Sequence, residues 1–301
     1  MKRVVSNASG KGRMPAVRHI VFFCFLTASL ACLFSPHCFA RERPVRQRII
    51  SLTPATTEIL FALGLDHEIV AVSSFCTWPP RAAEKEKAGS FSSPNIEKII
   101  SLKPDLVLVT GMEQARLALI LHGLGIDYVS VDPKSIDELT DSIALIGSLT
   151  GRMPEAAAIN AGIKKAIDQI RVSIGARSHD ARPRIYMEIW YDPVMCPGLG
   201  SFVDDMIRHA GGINITSGLK RSYSRIDPEQ IILKNPDKIV LAYMKPDSWI
   251  KNNVSNRLGW QDMRAVRYGR IYADIDPDII LRPGPRVTQG LKKLYEIFYE
   301  C

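Results

Sequence analysis

Short apolar runs alternate with segments of helical periodicity along most of this 301-residue chain. Runs rich in Val, Ile and Leu predict buried strands, and segments whose apolar residues recur at every third or fourth position predict amphipathic helices. The predicted strands lie at residues 48–52, 69–73, 106–110, 128–131, 185–189, 239–243 and 271–273. The predicted helices lie at residues 56–63, 96–102, 113–124, 136–150, 202–210 and 287–299. Strands that alternate with helices indicate an α/β fold with a mainly parallel sheet.

One further helical segment is longer than the others. From Pro154 to Gly175, apolar residues recur at a spacing of three to four, as at Ile163, Ile167 and Ile170. This spacing predicts a single amphipathic helix of about 20 residues. The chain is therefore divided into a leader at 1–40, an N-terminal α/β lobe at 41–152, a connecting helix at 153–180 and a C-terminal α/β lobe at 181–301.

The two lobes share an internal repeat. Residues 95–109 align with residues 227–241, and the alignment pairs Glu97 with Glu229. A short helix, a Pro-Asp turn and a buried strand follow in the same order in both segments. Two similar lobes joined by one helix leave a cleft between them, and such clefts are preferred sites for small ligands.

The basic residues are concentrated in the leader. The whole chain has 39 Lys and Arg residues against 31 Asp and Glu residues, a net charge of +8, and such a balance on its own can indicate binding to nucleic acid. Five of the basic residues and none of the acidic residues lie at 1–40, so the remaining chain has a net charge of +3. We therefore expect no nucleic-acid partner. A hydrophobic content of 46% also excludes a disordered chain.

The leader has the order of features typical of a secretory signal peptide. Basic residues precede an apolar run at 20–34, and Ala40 ends the segment. This order predicts cleavage after Ala40 and a periplasmic protein, with either Met1 or Met14 as the start. A retained membrane anchor is one alternative, but the run is shorter than the roughly 20 residues that span a bilayer. Cleavage at a lipid-modified Cys32 is another, but the residues before it match a lipobox poorly.

Motifs of the common enzyme classes are absent from the sequence. It contains no Walker A, G-x-S-x-G or H-E-x-x-H motif, and its cysteines and histidines do not have the spacing of a zinc site. We therefore expect a binding protein rather than an enzyme. One alternative belongs to a different functional class. It is a metal-dependent enzyme whose site lies in the cleft of a chelatase-like fold.

Several longer segments resemble one family of proteins. They are residues 48–58 (RIISLTPATTE), 72–80 (VSSFCTWPP), 95–108, 200–214 (GSFVDDMIRHAGGIN) and 227–240. In these segments the chain resembles the class III periplasmic substrate-binding proteins of ABC importers, the helical-backbone metal receptors, and is most similar to the cobalamin-binding receptors. The resemblance implies two Rossmann-like α/β lobes joined by one long backbone helix, with the ligand cleft between the lobes.

The resemblance also implies ligand-binding residues in loops on both sides of the cleft. A corrin is a large, partly apolar disc, so its site needs aromatic walls and a few polar groups. Phe75 and Phe91 stand where cobalamin receptors tend to carry Tyr and Trp, so the aromatic character is kept and a polar group is lost. The expected ligand-binding residues are Phe75, Cys76, Trp78, Phe91, Trp190, Tyr191, Met195, Cys196 and Tyr223.

Two cysteines lie in opposite loops of this expected cleft, and three roles are open for them. Cys76 and Cys196 are either small apolar residues of the core, partners in a disulfide, or contacts to a bound metal. A thiolate is a soft metal ligand, and Cys76 is the candidate contact to the cobalt of a corrinoid. Either thiol could instead pair with Cys301.

Two glutamates occupy matching positions in the repeat. Glu97 and Glu229 each fall in the first turn of a predicted helix, where a carboxylate interacts favourably with the helix dipole. The resemblance implies a further role, because such receptors present one glutamate per lobe to arginines of the transporter. We therefore expect these residues to dock the protein onto the permease dimer of an ABC importer.

The resemblance thus implies an extracytoplasmic receptor that captures a corrinoid and delivers it to an ABC importer. The expected cargo is a cobalt corrinoid, no catalytic cofactor is expected, and the membrane is contacted only through the transporter. The alternative is a receptor for a ferric siderophore or haem, in which Tyr191 or Tyr223 would ligate the iron.

Overall fold

A computed structural model describes residues 46–111, 114–175, 181–243 and 247–299. The predicted signal peptide and Cys301 both lie outside the described residues. Within the described part of the chain, no helix is long and apolar enough to cross a membrane.

A four-stranded parallel sheet forms the centre of the N-terminal lobe, in the order β2-β1-β3-β4. Its strands are β1 (Ile49–Ser51), β2 (Ile69–Val72), β3 (Leu106–Val109) and β4 (Tyr128–Ser130). The helices of this lobe are α1 (Pro54–Ala62), α2 (Pro80–Glu84), α3 (Ile96–Ser101), α4 (Ala115–Gly123) and α5 (Ile136–Thr150). Leu106 and Leu108 join one apolar cluster, whereas Val107 and Val109 join another. The strand is apolar at every position because successive side chains enter cores on opposite faces of the sheet.

A single helix of 22 residues, α6 (Met153–Ile174), follows the first lobe. Its buried residues form one stripe that includes Ala156, Ile163 and Ile170, as the spacing of apolar residues predicts. The helix packs against α5 and against the C-terminal helix α12 (Val287–Tyr299). The stripe belongs to an apolar cluster that contains residues of both lobes, so α6 contributes to one core with each of them.

The C-terminal lobe repeats the architecture of the first. Its parallel sheet has the order β10-β9-β5-β7, and an antiparallel pair, β6 and β8, lies beside it. The strands are β5 (Arg184–Glu188), β6 (Met195–Pro197), β7 (Ile213–Asn214), β8 (Tyr223–Arg225), β9 (Lys238–Leu241) and β10 (Ile271–Tyr272). The remaining helices are α7 (Phe202–His209), α8 (Pro228–Lys234), α9 (Asp247–Ser255), α10 (Arg264–Arg267) and α11 (Asp278–Leu281). The two-lobed α/β fold is confirmed, while the exact division of the chain into domains stays a prediction.

Local contacts agree with the internal repeat. The alignment of residues 95–109 with 227–241 pairs Asp105 with Asp237, and the two carboxylates accept equivalent hydrogen bonds. Oδ2 of Asp105 accepts a hydrogen bond from the backbone N–H of Arg48 at 3.1 Å, and Oδ2 of Asp237 accepts one from that of Arg184 at 2.9 Å. Each aspartate therefore ties the turn before one central strand to the start of the neighbouring strand.

The sequence pattern misses the short elements. It does not predict the one-turn helices α2, α10 and α11, the helix α9, or the strands β6, β7 and β8. All of them except α9 span five residues or fewer, too few to show a periodicity of 3.6 or 2. Helix α9 has nine residues, but five of them are Asp, Ser or Asn, which favour helices weakly. Several of them border the site described below.

Candidate ligand-binding cleft

A cavity of about 510 Å³ opens at the carboxyl ends of β5 and β9 in the C-terminal lobe. Strand β5 has β7 on one side and β9 on the other, so the chain leaves β5 toward one edge of the sheet and later returns to the other side. Ligands of open parallel sheets bind at such a switch point. The cavity is lined by Ile189, Trp190, Tyr191, Asp192, Ala242, Tyr243, Pro277, Asp278 and Leu281.

Three of the lining residues, Trp190, Tyr191 and Tyr243, form what we term the aromatic wall. Trp190 is 59% exposed and available to a ligand. The ring of Tyr191 packs edge-on against Trp249 with centroids 4.8 Å apart, and its hydroxyl donates a hydrogen bond to Oδ1 of Asn253 at 3.1 Å. Aromatic rings held in this way provide a large apolar surface with few internal degrees of freedom.

A buried ion pair lies behind the aromatic wall. Glu188, the last residue of β5, is fully buried, and the guanidinium of Arg257 donates hydrogen bonds to both of its oxygens at 2.6 and 2.7 Å. Burial alone would lower the pKa of Arg257, but its hydrogen bonds with Glu188 raise it. Burial and the charge of Glu188 raise the pKa of Tyr243, so this phenol stays protonated.

Two carboxylates reach the rim and the floor of the cavity. Asp192 is exposed, and Asp278 is half-buried and paired with Arg282 at 2.9 Å. Burial raises the pKa of Asp278, and the charge of Arg282 opposes that effect. The cavity therefore combines an apolar wall with hydrogen-bond acceptors, a set that suits a ligand with neutral donor groups.

The other aromatic residues expected at the site, Phe75, Trp78 and Phe91, lie in loops of the N-terminal lobe and do not line this cavity. Phe75 and Trp78 are exposed in the loop after β2. The loop that carries Phe91 is tied to the sheet by the buried side chain of Gln114. Its Nε2 donates to the Phe91 carbonyl at 2.9 Å, and its Oε1 accepts from the N–H of Thr110 at 3.0 Å. One side chain thus links the end of β3 to the Phe91 loop.

A charged contact joins the two lobes. Arg286, just before α12, donates from Nε and Nη2 to the two oxygens of Glu58 in α1, at 2.8 Å each. The same guanidinium lies 4.8 Å from the ring centre of Trp78. Its hydrogen bonds with Glu58 raise the pKa of Arg286, against the effect of its own burial. The pair therefore fixes the Trp78 loop relative to the C-terminal lobe.

Comparison with known proteins identifies this architecture. A model of the periplasmic binding protein family matches residues 49–278, which include both sheets and most of the cleft. The chain belongs to the periplasmic binding protein family. Members of this family are substrate-binding receptors of ABC transporters, so the expectation that the chain is not an enzyme is confirmed.

Several relatives of this periplasmic binding protein match over most of their length. An uncharacterised ABC transporter substrate-binding lipoprotein of Bacillus subtilis, YvrC, is 32% identical over 84% of this chain and 80% of its own. The vitamin B12-binding protein of Vibrio cholerae is 27% identical over 88% of this chain and 94% of its own. A crystal structure of that species' periplasmic vitamin B12-binding protein BtuF matches with a TM-score of 0.74 and 26% identity, over 84% of this chain and 96% of the other. The periplasmic heme-binding protein RhuT of Roseiflexus sp. RS-1 matches with a TM-score of 0.73 and 27% identity, over 84% of this chain and 98% of the other.

The structure brings some of the sequence-predicted site residues together and separates others. Trp190 and Tyr191 line the cavity, whereas Trp78 contacts Arg286 outside the cavity lining. Met195 holds the Trp190 loop through its backbone, whose N–H donates to the carbonyl of Trp190 at 3.0 Å. Tyr223 lies on β8, outside the cavity lining. Burial and the nearby charge of Asp132 raise its pKa to about 12.

Cys76 and Cys196 of the binding protein lie in the lobe cores. Cys76 and Cys196 are fully buried, and both are free thiols. Sγ of Cys76 lies 3.1 Å from the hydroxyls of both Thr57 and Ser73. Burial raises the pKa of Cys196 to about 11. Neither thiol lines the cavity, so this geometry favours the role of small core residues over contact with cobalt or a disulfide across the cleft.

We predict that neither thiol reacts in the folded protein. Iodoacetamide at pH 8 should leave Cys76 and Cys196 unmodified, because alkylation requires an accessible thiolate. The same treatment in urea should modify both, and peptide mass mapping measures each site separately. Rapid modification of Cys76 under native conditions would contradict its burial. It would instead support the role of Cys76 as a contact to the ligand.

Sequence reasoning missed the charged residues of the site. Glu58 and Arg286 are 228 residues apart, and Glu188 and Arg257 are 69 apart, so no local motif links them. One usable signal is present for Glu58, because it is an acidic residue at a position of α1 that faces the core. Buried charges of this kind require a partner, although the sequence does not say which.

Proposed function

We propose that this periplasmic binding protein captures a corrinoid such as cobalamin outside the cytoplasm and delivers it to an ABC importer. The observation that carries the proposal is the cavity of about 510 Å³ bounded by the aromatic wall, and the exposed rings of Phe75 and Trp78 in the N-terminal lobe support it. A flat macrocycle can cover aromatic surface on both sides of such a cleft. Relatives named as vitamin B12-binding proteins support this choice of ligand.

The polar groups of the cavity favour a corrinoid over haem. A corrin carries neutral amide arms, whose N–H groups donate to carboxylates such as Asp192 and Asp278. Haem carries two propionates, which those carboxylates would repel.

A receptor for haem or a ferric siderophore is the second candidate. The likeness to the heme-binding protein RhuT favours it, and Tyr191 is a phenol within the cavity lining. Both candidates share the same fold and cleft, so they differ only in the ligand that the cavity selects.

Tryptophan fluorescence distinguishes the two candidates. Trp78, Trp190 and Trp249 lie at or beside the cleft, and they are three of the four tryptophans of the chain. Cyanocobalamin, cobinamide, haemin and a ferric siderophore are titrated separately into the purified protein. We expect saturable quenching at submicromolar concentration with a corrinoid. Tight binding of haemin, with no response to either corrinoid, would show that the proposed ligand is wrong.

The location of the protein belongs to the same proposal. We propose cleavage after Ala40 and a periplasmic protein that meets the membrane only through its transporter. The intact mass of protein recovered from the periplasmic fraction tests this, since the proposed product begins at Arg41. A lipid-modified product that begins at Cys32 would instead match the lipoprotein form of the Bacillus relative.

We predict that reversing two exposed charges blocks transport but not binding. Glu97 and Glu229 are exposed in the first turns of α3 and α8, outside the cavity lining. The double variant Glu97→Lys/Glu229→Lys should lower uptake at least about tenfold, because it places like charges against the arginines expected on the permease. Its ligand affinity should equal that of the wild type.

The control for this variant is Glu84→Lys, which reverses an exposed charge on α2. It should leave both uptake and affinity unchanged. A loss of ligand affinity in the Glu97/Glu229 variant that matches its loss of uptake would refute the docking role.

A further inference from the structure

A charged residue that does not line the cavity lies against the aromatic wall from behind. The guanidinium carbon of Arg257 is 5.4 Å from the ring centre of Tyr191 and 4.7 Å from that of Trp260. Tyr191 lines the cavity, whereas Trp260 is fully buried. Arg257 therefore lies between a ring of the core and a ring of the site.

The position of Arg257 is determined by Glu188. Two hydrogen bonds of 2.6 and 2.7 Å form a bidentate pair, whose planar geometry fixes the guanidinium in angle as well as in distance. Glu188 is held in turn at the end of β5, where its Oε2 also accepts a hydrogen bond from the hydroxyl of Tyr186 at 2.9 Å. Rigid secondary structure thus determines where the guanidinium lies.

The ring of Tyr191 has other neighbours as well. Its hydroxyl is bonded to Asn253 and its edge packs on Trp249, both of which belong to the nine-residue helix α9. The ring of Tyr243, just after β9, lies 6.4 Å away in a tilted arrangement. The contact with Arg257 links the ring to the sheet, because Arg257 is paired with Glu188 at the end of β5. A cation over an aromatic face also restricts the ring to a narrow range of orientations.

We infer that Arg257 is a positioning residue. It fixes the ring of Tyr191 in the aromatic wall, and that ring in turn orients the ligand. The inference rests on the proposed function of the cleft. Arg257 does not touch the ligand in this arrangement, and its effect on affinity passes through Tyr191. A residue that served only the stability of the lobe would affect affinity regardless of whether Tyr191 were present.

A double-mutant cycle on ligand affinity tests the inference. Both charges are removed together as Glu188→Met/Arg257→Met, because the loss of one partner would leave a buried charge unpaired, whereas apolar replacement of a whole pair is often tolerated. This variant should keep the wild-type unfolding temperature to within a few degrees. It should weaken the binding of cyanocobalamin by about tenfold, the order expected for a partly desolvated cation–π contact.

The same pair of substitutions is then made in a Tyr191→Ala protein. There we expect no further loss of affinity, because the residue through which Arg257 acts is gone. An equal tenfold loss in both backgrounds would overturn the inference, as would an unchanged affinity in the first. The conservative variant Arg257→Lys should bind cyanocobalamin more tightly than the Glu188/Arg257 variant but less tightly than the wild type, since lysine cannot form the bidentate pair.

Failure of the ligand assignment can be separated from failure of the inference. If wild-type protein binds haemin and no corrinoid, the proposed ligand is wrong and the cycle is measured with haemin.

Discussion

Replacing Arg286 by Met is expected to lower the free energy of unfolding by about 3–5 kcal/mol, because it leaves the buried carboxylate of Glu58 without its bidentate partner. Glu58 is 4% exposed, so water cannot replace the lost hydrogen bonds. Arg282, at 3.5 Å from Oε1 of Glu58, is the cation that remains nearby. Urea denaturation followed by far-ultraviolet circular dichroism measures the change.

The effect of this substitution should extend to the cleft. The guanidinium of Arg286 covers one face of Trp78, so its loss releases the loop after β2 and should weaken ligand binding as well. The double variant Glu58→Met/Arg286→Met removes both charges, and we expect it to recover most of the lost stability. Its affinity should stay low, because Trp78 still lacks the stacked cation.

An exposed pair provides the matched control. Lys164 and Asp168 form an ion pair on the surface of α6 at 2.8 Å, and Lys164→Met should change the free energy of unfolding by no more than about 0.5 kcal/mol. A loss below about 1 kcal/mol for Arg286→Met would show that the Glu58–Arg286 pair contributes no more than a surface pair does.

The second large effect is expected on binding rather than on stability. Trp190→Ala should weaken corrinoid affinity by about 30-fold or more, while the unfolding midpoint stays unchanged. Trp190 is 59% exposed in the free protein, so it contributes little to the core. Covering about 100 Å² of its ring by a ligand stabilises the complex by roughly 2.5 kcal/mol at the usual coefficient for apolar area.

Tyr268→Ala is the control for this prediction. Tyr268 is 68% exposed and lies outside the cavity lining, so its removal takes away a similar aromatic area without affecting the site. Fluorescence titration with cyanocobalamin measures both variants, with the absorbance of the corrinoid as an independent signal. If both variants bind like the wild type, the aromatic wall is not the binding surface.

The charged groups show why part of the site could not be predicted. The aromatic residues of the cavity follow predicted strands, and the ends of parallel strands meet at one edge of a sheet, so the pattern could place Trp190 and Tyr191 at that edge, while their role toward a ligand came from the resemblance. Arg257 follows helix α9, which the pattern did not predict, and its partner lies on β5. Recognition of that pair requires the distance between two segments that the sequence does not relate.

The cysteines show a second limit on what could be predicted from the sequence. Cys76 lies between two residues of the expected site, Phe75 and Trp78, and this neighbourhood suggested a contact with cobalt. The loop turns so that Phe75 is exposed while the thiol of Cys76 contacts Thr57 in the core. In an irregular loop adjacent side chains have no fixed period, so their directions do not follow from their order in the sequence.

The sequence by itself determined the alternation of strands and helices, the single long helix, the internal repeat and the resemblance to binding proteins of ABC importers. These features depend on periodicities and turn residues within short stretches of chain, where covalent geometry limits the conformations. Only the tertiary structure decided which charges pair across the cleft, which thiols are buried and which rings line the cavity. Those outcomes depend on how loops from distant strands meet at the sheet edges, and therefore on packing energies that no local segment contains.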